Sequence, residues 1–269
     1  MLGAIIGDVV GSRFEFNNIK TKNFKLIGFD TRFTDDTVMT CAVARSLVTS
    51  KGKNIIQTLK AFGRAYPNAG YGGHFLCWVL GKSTLPYNSC GNGSAMRISS
   101  VGWVAKTEKE VKELSKRVTE VTHNHPEGLK GAEVVAMCIF KARNGATKEE
   151  LKEYILSMYP EVADLDYEEL RRTYKHGEEI CQVTVPQALY CFLISTDFED
   201  CLRTTISIGG DCDTTAAISC AVAEAYYKDI PEDIIKKVLR RFTKQDKINL
   251  LTSIKTIYEE AGKPKYISL

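Results

Sequence analysis

Two short knots of oxygen-bearing side chains lie far apart in the 269-residue chain: Thr34-Asp35-Asp36-Thr37, and Gly209-Gly210-Asp211-Cys212-Asp213-Thr214-Thr215. Short carboxylates interleaved with hydroxyls are what hard divalent cations take as ligands, and Mg²⁺ in particular is held by oxygen and keeps several waters. If the fold brings the knots together, their crowded negative charge needs a cation to be tolerable. The expectation is a two-metal site shared between the N- and C-terminal thirds. Either knot alone also reads as a capped helix. Thr34 suits an N-cap, with Asp35 and Asp36 in the first turn, where the helix dipole favours negative charge.

Other segments carry weaker signals. The stretch Cys90-Gly91-Asn92-Gly93-Ser94 feeds a run with Ala95, Met96, Ile98 and Val101. A small-residue loop opening a helix offers free backbone N–H groups to an anion such as phosphate. No Walker-type lysine follows and no strand precedes it, so taken alone it reads as a turn. His123 and His125 stand together in Thr122-His123-Asn124-His125-Pro126. Two histidines without further His or Cys nearby make a poor transition-metal site, and substrate contact or loop packing suits them better.

The elements that must position these residues read as helices. Residues 1–11 form an apolar helix with glycines at 3, 7 and 11. Residues 12–33, which carry Glu15, are polar and irregular, as in a surface loop, a functional lid or plain disorder. Each knot is followed by an apolar, helix-like run, the first reaching about Thr49. Residues 53–66 repeat at helical spacing, the glycine-rich 67–73 leads into an apolar run ending at Leu80, and 108–122 is an exposed helix. Pro126 fits the first position of the next helix. Further helices are expected at 148–158, 184–194 with Pro186 in its first turn, 198–207, 231–242 and 246–261. Residues 159–177 read as a charged, irregular excursion. Alternation of period two hardly appears, and no Pro/Gly/Ser linker divides the chain. The expected fold is all-α, a single domain over 1–269.

Composition narrows the class. At 44% hydrophobic and 26% charged, the chain is an ordinary globular protein, and a net charge of +3 is too small to argue for nucleic acid. Lys20, Lys22, Lys25 and Arg32 could form a basic lane, but a solvated loop is the better reading. Nine cysteines are an odd count, no two in a Cys-x-x-Cys pair. They imply buried thiols in a reduced, cytoplasmic compartment, with neither a zinc cluster nor a disulfide framework. The N-terminus carries Asp8 and lacks the basic region of a signal peptide, no stretch reaches membrane-span length, and residues 263–269 end in no address signal.

In order along the chain, Gly7-Asp8, Glu15-Phe16, Thr34-Asp35-Asp36-Thr37, Gly70-Tyr71-Gly72, Gly91-Asn92-Gly93-Ser94-Ala95-Met96-Arg97, Thr122-His123 and Gly209-Gly210-Asp211-Cys212-Asp213-Thr214 resemble the ADP-ribosylglycohydrolases. The resemblance is to the dinitrogenase reductase-activating type, with relatives that act on other ADP-ribosylated targets, and runs from residue 3 to about 227. It implies a single all-α domain with a two-Mg²⁺ centre, Mn²⁺ being a possible substitute. By the same resemblance Thr34, Asp35, Asp36, Asp211, Asp213 and Thr214 ligate the metals. Gly72 and the Gly93-Ser94 turn cradle a diphosphate, His123 stands beside the substrate ribose, and Glu15 lies on a loop near the reaction centre. Two features depart from the pattern: residues 17–32 are shorter and more basic than in the family's animal members, and Asn124-His125-Pro126 adds a second histidine and a proline.

The activity so implied is hydrolysis of the bond from C1″ of ADP-ribose to a modified protein or small molecule, with ADP-ribose as product. The cleavage builds oxocarbenium-like charge on the ribose. The metals would orient the ribose and acidify a water, Asp36 or Asp211 would take its proton, and Glu15 would serve the leaving group or close over it. Arginine is the first linkage expected, from the Glu15-Phe16 context. Serine or nucleic-acid linkages, a non-catalytic ADP-ribose reader, another metal-dependent nucleotide hydrolase and a structural protein are the alternatives. A membrane or nucleic-acid partner is not expected, and a monomer is the default.

Overall fold

The computed structural model describes residues 1–262; the C-terminal segment 263–269 read above lies outside the described residues. The helices are α1 (Leu2–Gly11), α2 (Asp35–Ser50), α3 (Ile55–Ala65), α4 (Gly73–Leu80), α5 (Gly93–Met96), α6 (Ser99–Val104), α7 (Glu108–Thr119), α8 (Pro126–Arg143) and α9 (Lys148–Met158). They continue as α10 (Tyr167–Thr173), α11 (Cys181–Ile194), α12 (Phe198–Ile208), α13 (Cys212–Tyr227), α14 (Glu232–Leu239), α15 (Lys244–Asp246) and α16 (Thr252–Glu260). A 3₁₀ turn (Pro160–Asp164) follows α9, and a π-helical segment (Lys247–Leu251) joins α15 to α16. Among the described residues there is no strand, only an isolated antiparallel bridge between Gly91 and Ile180. The fold is all-α.

The centre of the molecule is the pair α1 and α13, both buried nearly throughout. Their close approach explains the glycines spaced four apart in α1. A Cβ on Gly3, Gly7 or Gly11 would stand 2.1, 2.3 and 2.5 Å from backbone atoms of Cys220, Ala216 and Asp213. Helices with side chains at the crossing cannot approach so closely. At one end of this core, Glu224 gathers the Met1 ammonium (2.5 Å), the Gly3 N–H (2.8 Å) and the Tyr258 hydroxyl. The site lies at the other end.

Three expectations about the elements need correction. The run after Gly93 is not one helix but α5 and α6, with Arg97 and Ile98 between them. Residues 159–177 are not irregular: they hold the 3₁₀ turn and α10, whose Asp166 caps the Glu169 N–H and whose Leu170 is buried. Pro186 lies inside α11, because that helix starts three residues earlier than expected, at Cys181.

The segment 12–33 is irregular but pinned. Asn18 Nδ2 donates to the carbonyls of Phe14, Glu15 and Gly210, and its Oδ1 accepts from the Gly210 N–H. Lys20, read as solvated, instead donates to the Tyr174 and Ile208 carbonyls at 2.7 and 2.5 Å. Lys22 pairs with Asp200 at 2.8 Å.

All nine cysteines are free, and Cys41, Cys138, Cys191 and Cys220 are buried as expected. No helix among the described residues is long and apolar enough to cross a membrane.

Candidate metal centre and ligand cavity

The first knot opens α2 as its sequence dictates. The Thr34 side chain accepts from the Asp36 N–H and caps the helix. The second knot behaves differently. Asp211 occupies the N-cap position of α13 yet makes no capping bond through its side chain, which is left available. Gly209 and Gly210, with φ of +79° and +68°, make the turn. Side chains there would also collide with Lys20 Nζ and the Tyr174 ring.

Helix α1 adds a residue that pattern reading did not assign. Asp8 is fully buried in an otherwise apolar helix. Its carboxylate accepts from the Thr34 N–H (3.0 Å), the Thr34 hydroxyl (2.7 Å), the Thr37 N–H (3.0 Å) and the Thr37 hydroxyl. One carboxylate thus locks the start of α2 onto α1. A lone acid among apolar residues was the available signal for it.

The two knots do meet. Oxygens of Asp8, Asp36 and Asp213 lie within 4.8 Å of one another, as do those of Glu15, Asp211 and Asp213, so that Asp213 belongs to both groups. The Thr214 hydroxyl donates to Asp36 Oδ2 at 3.1 Å, joining α13 to α2. Asp35 lines the same cavity outside those two groups.

The electrostatics are severe. Burial, reinforced by the neighbouring carboxylates, holds Asp36 and Asp213 well above the usual carboxylate range. Asp35 is pushed up to about 8 by burial and by Asp8 and Asp211. Burial raises Asp8, and its hydrogen bonds from Thr37 and Thr34 oppose the shift. Glu15 is raised by burial and by Asp211. Asp36 Oδ1 and Asp213 Oδ1 are buried with no hydrogen-bond partner. Buried acceptors are rarely left bare, and these two fit cation ligands.

Of the remaining expected residues, Gly72, Gly93 and His123 line a cavity of about 430 Å³ over this centre, whereas Ser94 does not. Gly72 borders it, and a Cβ added there would meet nothing within 4 Å. Gly93 also borders it, its Cβ position 3.4 Å from His123 Nε2. Ser94 is fully buried, and its hydroxyl donates to the Gly128 carbonyl at 2.8 Å. His123 is buried among Tyr87, Gly91 and Gly93. His125 plays no part in the cavity lining; it caps α8 by accepting from the Glu127 N–H, with Pro126 in the first turn.

Several lining residues were given no role of their own from sequence. Asn92 Nδ2 donates to Asp211 Oδ2 at 2.6 Å, tying the glycine turn to the second knot. His176 and Glu179 arrive from the segment between α10 and α11. There Asn92 N donates to the Glu179 carbonyl (3.0 Å) and Cys181 N to that of Cys90 (2.9 Å). His176 Nδ1 lies 2.9 Å from Glu179 Oε1, its Nε2 lies 3.7 Å from Glu15 Oε1, and its ring tilts against Phe16 at 4.9 Å.

The family model for ADP-ribosylglycohydrolases matches residues 1–264. Among curated proteins, the chain is 26% identical to mouse ADP-ribosylhydrolase ARH3, covering 86% of this chain and 84% of that protein. It is 25% identical to the ADP-ribosyl-[dinitrogen reductase] glycohydrolase of Rhodospirillum rubrum, over 88% of each. To the ADP-ribosylarginine hydrolase Tri1 of Pseudomonas putida it is also 25% identical, over 88% of this chain and 72% of that one. A solved structure described as an ADP-ribosylglycohydrolase-related protein complex superposes with a TM-score of 0.68 over 97% of both chains, at 24% identity. With its carboxylate knots joined beneath one cavity, the chain belongs to the ADP-ribosylglycohydrolase family and is an enzyme of the ADP-ribosylhydrolase class.

Proposed function

We propose that this protein hydrolyses the bond between C1″ of ADP-ribose and a modified arginine, with two Mg²⁺ ions, replaceable by Mn²⁺, in the carboxylate centre. The observation that carries the metal reading is the pair of bare buried oxygens, Asp36 Oδ1 and Asp213 Oδ1, in a cluster whose members raise one another's proton affinity. The chain's own ligands would be Asp35, Asp36, Asp211, Asp213, Thr34 and Thr214, with Asp8 behind them. Cations held there supply Lewis acidity toward the ribose hydroxyls and a water.

Asp36 or Asp211 takes the proton of the attacking water, since each keeps a carboxylate oxygen outside its protein hydrogen bonds. Glu15, whose backbone carbonyl the Asn18 clamp ties beside Gly210, serves the leaving group. Gly72 and the Gly93-Ser94 turn leave room for the diphosphate, and His123 borders the same space. Binding that remote half positions the ribose.

The cavity mouth supports arginine over serine. Phe16 lines it with 76% of its surface exposed, beside Glu15, His176 and Glu179. Among the described residues, the contacts to the Glu179 carboxylate, from the Gly177 N–H and His176 Nδ1, fall on Oε1, leaving Oε2 for a ligand. An aromatic face with nearby carboxylates suits a planar guanidinium and gives a serine hydroxyl little. Lys20 and Lys22 are engaged internally, so the basic lane a nucleic-acid end would use is weakened.

The test is release of ADP-ribose from mono-ADP-ribosyl-arginine in Mg²⁺ and in EDTA, alongside the serine-linked substrate. Mg²⁺-dependent release from arginine is expected. Release from serine alone refutes the linkage, and tight ADP-ribose binding without release from either would make the protein a reader.

A further inference from the structure

Arg97 is the largest fully buried side chain, 1% exposed, and it lies between α5 and α6 where the cavity wall is built. No carboxylate pairs with it among the described residues; its partners are the Thr122 hydroxyl, 2.7 Å from Nη2, and the face of Phe75. The same hydroxyl lies 2.8 Å from His123 Nδ1. Thr122 is fully buried, and these are its side chain's hydrogen bonds.

Proton bookkeeping decides the direction of this chain. A guanidinium can only donate, so Thr122 Oγ1 accepts from Arg97. The hydroxyl has one proton, and the acceptor within reach is His123 Nδ1. The alternative, with Nδ1 protonated and donating to Thr122, would leave a buried hydroxyl proton without an acceptor. Nδ1 is therefore unprotonated, and the ring's one proton sits on Nε2. That nitrogen lies 3.4 and 3.6 Å from where side chains on Gly93 and Gly91 would begin.

We propose that Arg97 and Thr122 form a buried relay that holds His123 as an uncharged Nε2–H donor toward the glycine turn. There it meets an oxygen of the ligand's diphosphate, and Arg97 supplies the compensating charge. Burial and the nearby guanidinium also hold His123 well below its ordinary protonation range, which keeps the ring neutral. Arg97 and Thr122 are positioning residues: they act through His123 and through the field rather than on the reacting bond. The ligand half of this inference rests on the proposed ADP-ribose function, whereas the relay does not.

The experiment is ¹⁵N NMR of the ligand-free protein, with its four histidines assigned by substitution, together with calorimetric ADP-ribose binding in Mg²⁺. The wild type should show a neutral, Nε2-protonated His123 from pH 5 to 8. Thr122→Val should bind ADP-ribose about tenfold more weakly and lose the single tautomer, while Thr122→Ser, which keeps the hydroxyl, should restore both. A wild-type ring protonated on Nδ1, or Thr122→Val binding ADP-ribose like the wild type, overturns the proposal. Arg97→Lys keeps a charge but not the fork, so equal affinity in that variant would remove Arg97 from the relay. If the wild type shows the Nε2 tautomer but does not bind ADP-ribose, the functional reading and the ligand assignment fall together, and the relay stands.

Discussion

Replacing Asp36 by Asn should stabilise the metal-free protein and abolish its response to Mg²⁺. Asp36 and Asp213 each keep a bare buried oxygen, and the cluster's oxygens lie within 4.8 Å of one another. Two ionised carboxylates that close repel by about 3.5 kcal/mol at an effective dielectric constant near 20. Proton uptake relieves part of this, so a gain of about 1–3 kcal/mol is expected from removing one charge and adding an amide donor.

The sign follows from linkage. The folded-state pKa of Asp36 is raised, so in the metal-free wild type its contribution to stability is fully present below about pH 4 and is lost as pH rises toward the folded value. Asp36→Asn lacks that loss, and the gap between the two should widen from pH 5 to 8. With Mg²⁺ at 100 times its Kd the wild type gains about 2.7 kcal/mol, roughly 5–10 °C in Tm for a chain of this size. The variant should gain under about 2 °C and show little turnover. Differential scanning fluorimetry in EDTA and in Mg²⁺ across pH reads all of this. If Asp36→Asn is less stable than the wild type in EDTA at pH 8, or keeps its Mg²⁺ shift, the reading of Asp36 as a frustrated ligand is wrong.

Other outcomes follow from the same geometry. Asp211→Asn should fold with an unchanged circular dichroism spectrum and cut kcat by at least about 100-fold; wild-type turnover in both Asp variants would remove the metal-centred mechanism. Gly7→Ala places a Cβ 2.3 Å from the Ala216 backbone and should cost about 3 kcal/mol or more, seen as a Tm drop. Because α1 also carries Asp8, this variant should weaken Mg²⁺ binding in calorimetry as well. Phe16→Ala should raise KM for mono-ADP-ribosyl-arginine severalfold while ADP-ribose inhibits with unchanged Ki. Arg97→Met removes a buried cation that no carboxylate pairs with, so the ligand-free Tm should hold or rise while ADP-ribose affinity falls about tenfold or more.

Helices were legible in the sequence wherever a local signal sets them. Thr34 caps α2, Thr147 closes a capping box on α9, Pro126 starts α8, and 3.6-residue spacing marks α3 and α7. Where the deciding contact lies elsewhere in the chain, local reading failed. Residues 159–177 looked irregular because their charges suit a loop as well as a short exposed helix, and α10 is held by the packing of Leu170 and Tyr174 on Ile208. Lys20 looked solvated because nothing nearby in sequence predicts the carbonyls of Tyr174 and Ile208. His176 and Glu179 sit in that same stretch and reach the site through the contacts between residues 90–92 and 179–181.

The sequence by itself determined the all-α class and the oxygen-rich, acidic character of both knots, since helix propensity, capping and carboxylate chemistry belong to residues and their near neighbours. Tertiary structure decided that residues 8, 36 and 213 share one small volume, because glycines at 3, 7 and 11 let α1 approach the α13 backbone. It also decided that Asp8 belongs to the centre, that the Asp211 carboxylate accepts from Asn92 rather than capping α13, and that His125 caps a helix while His123 faces the glycine turn. Those outcomes depend on which groups are desolvated together, a property of packed elements that no spacing along the chain encodes.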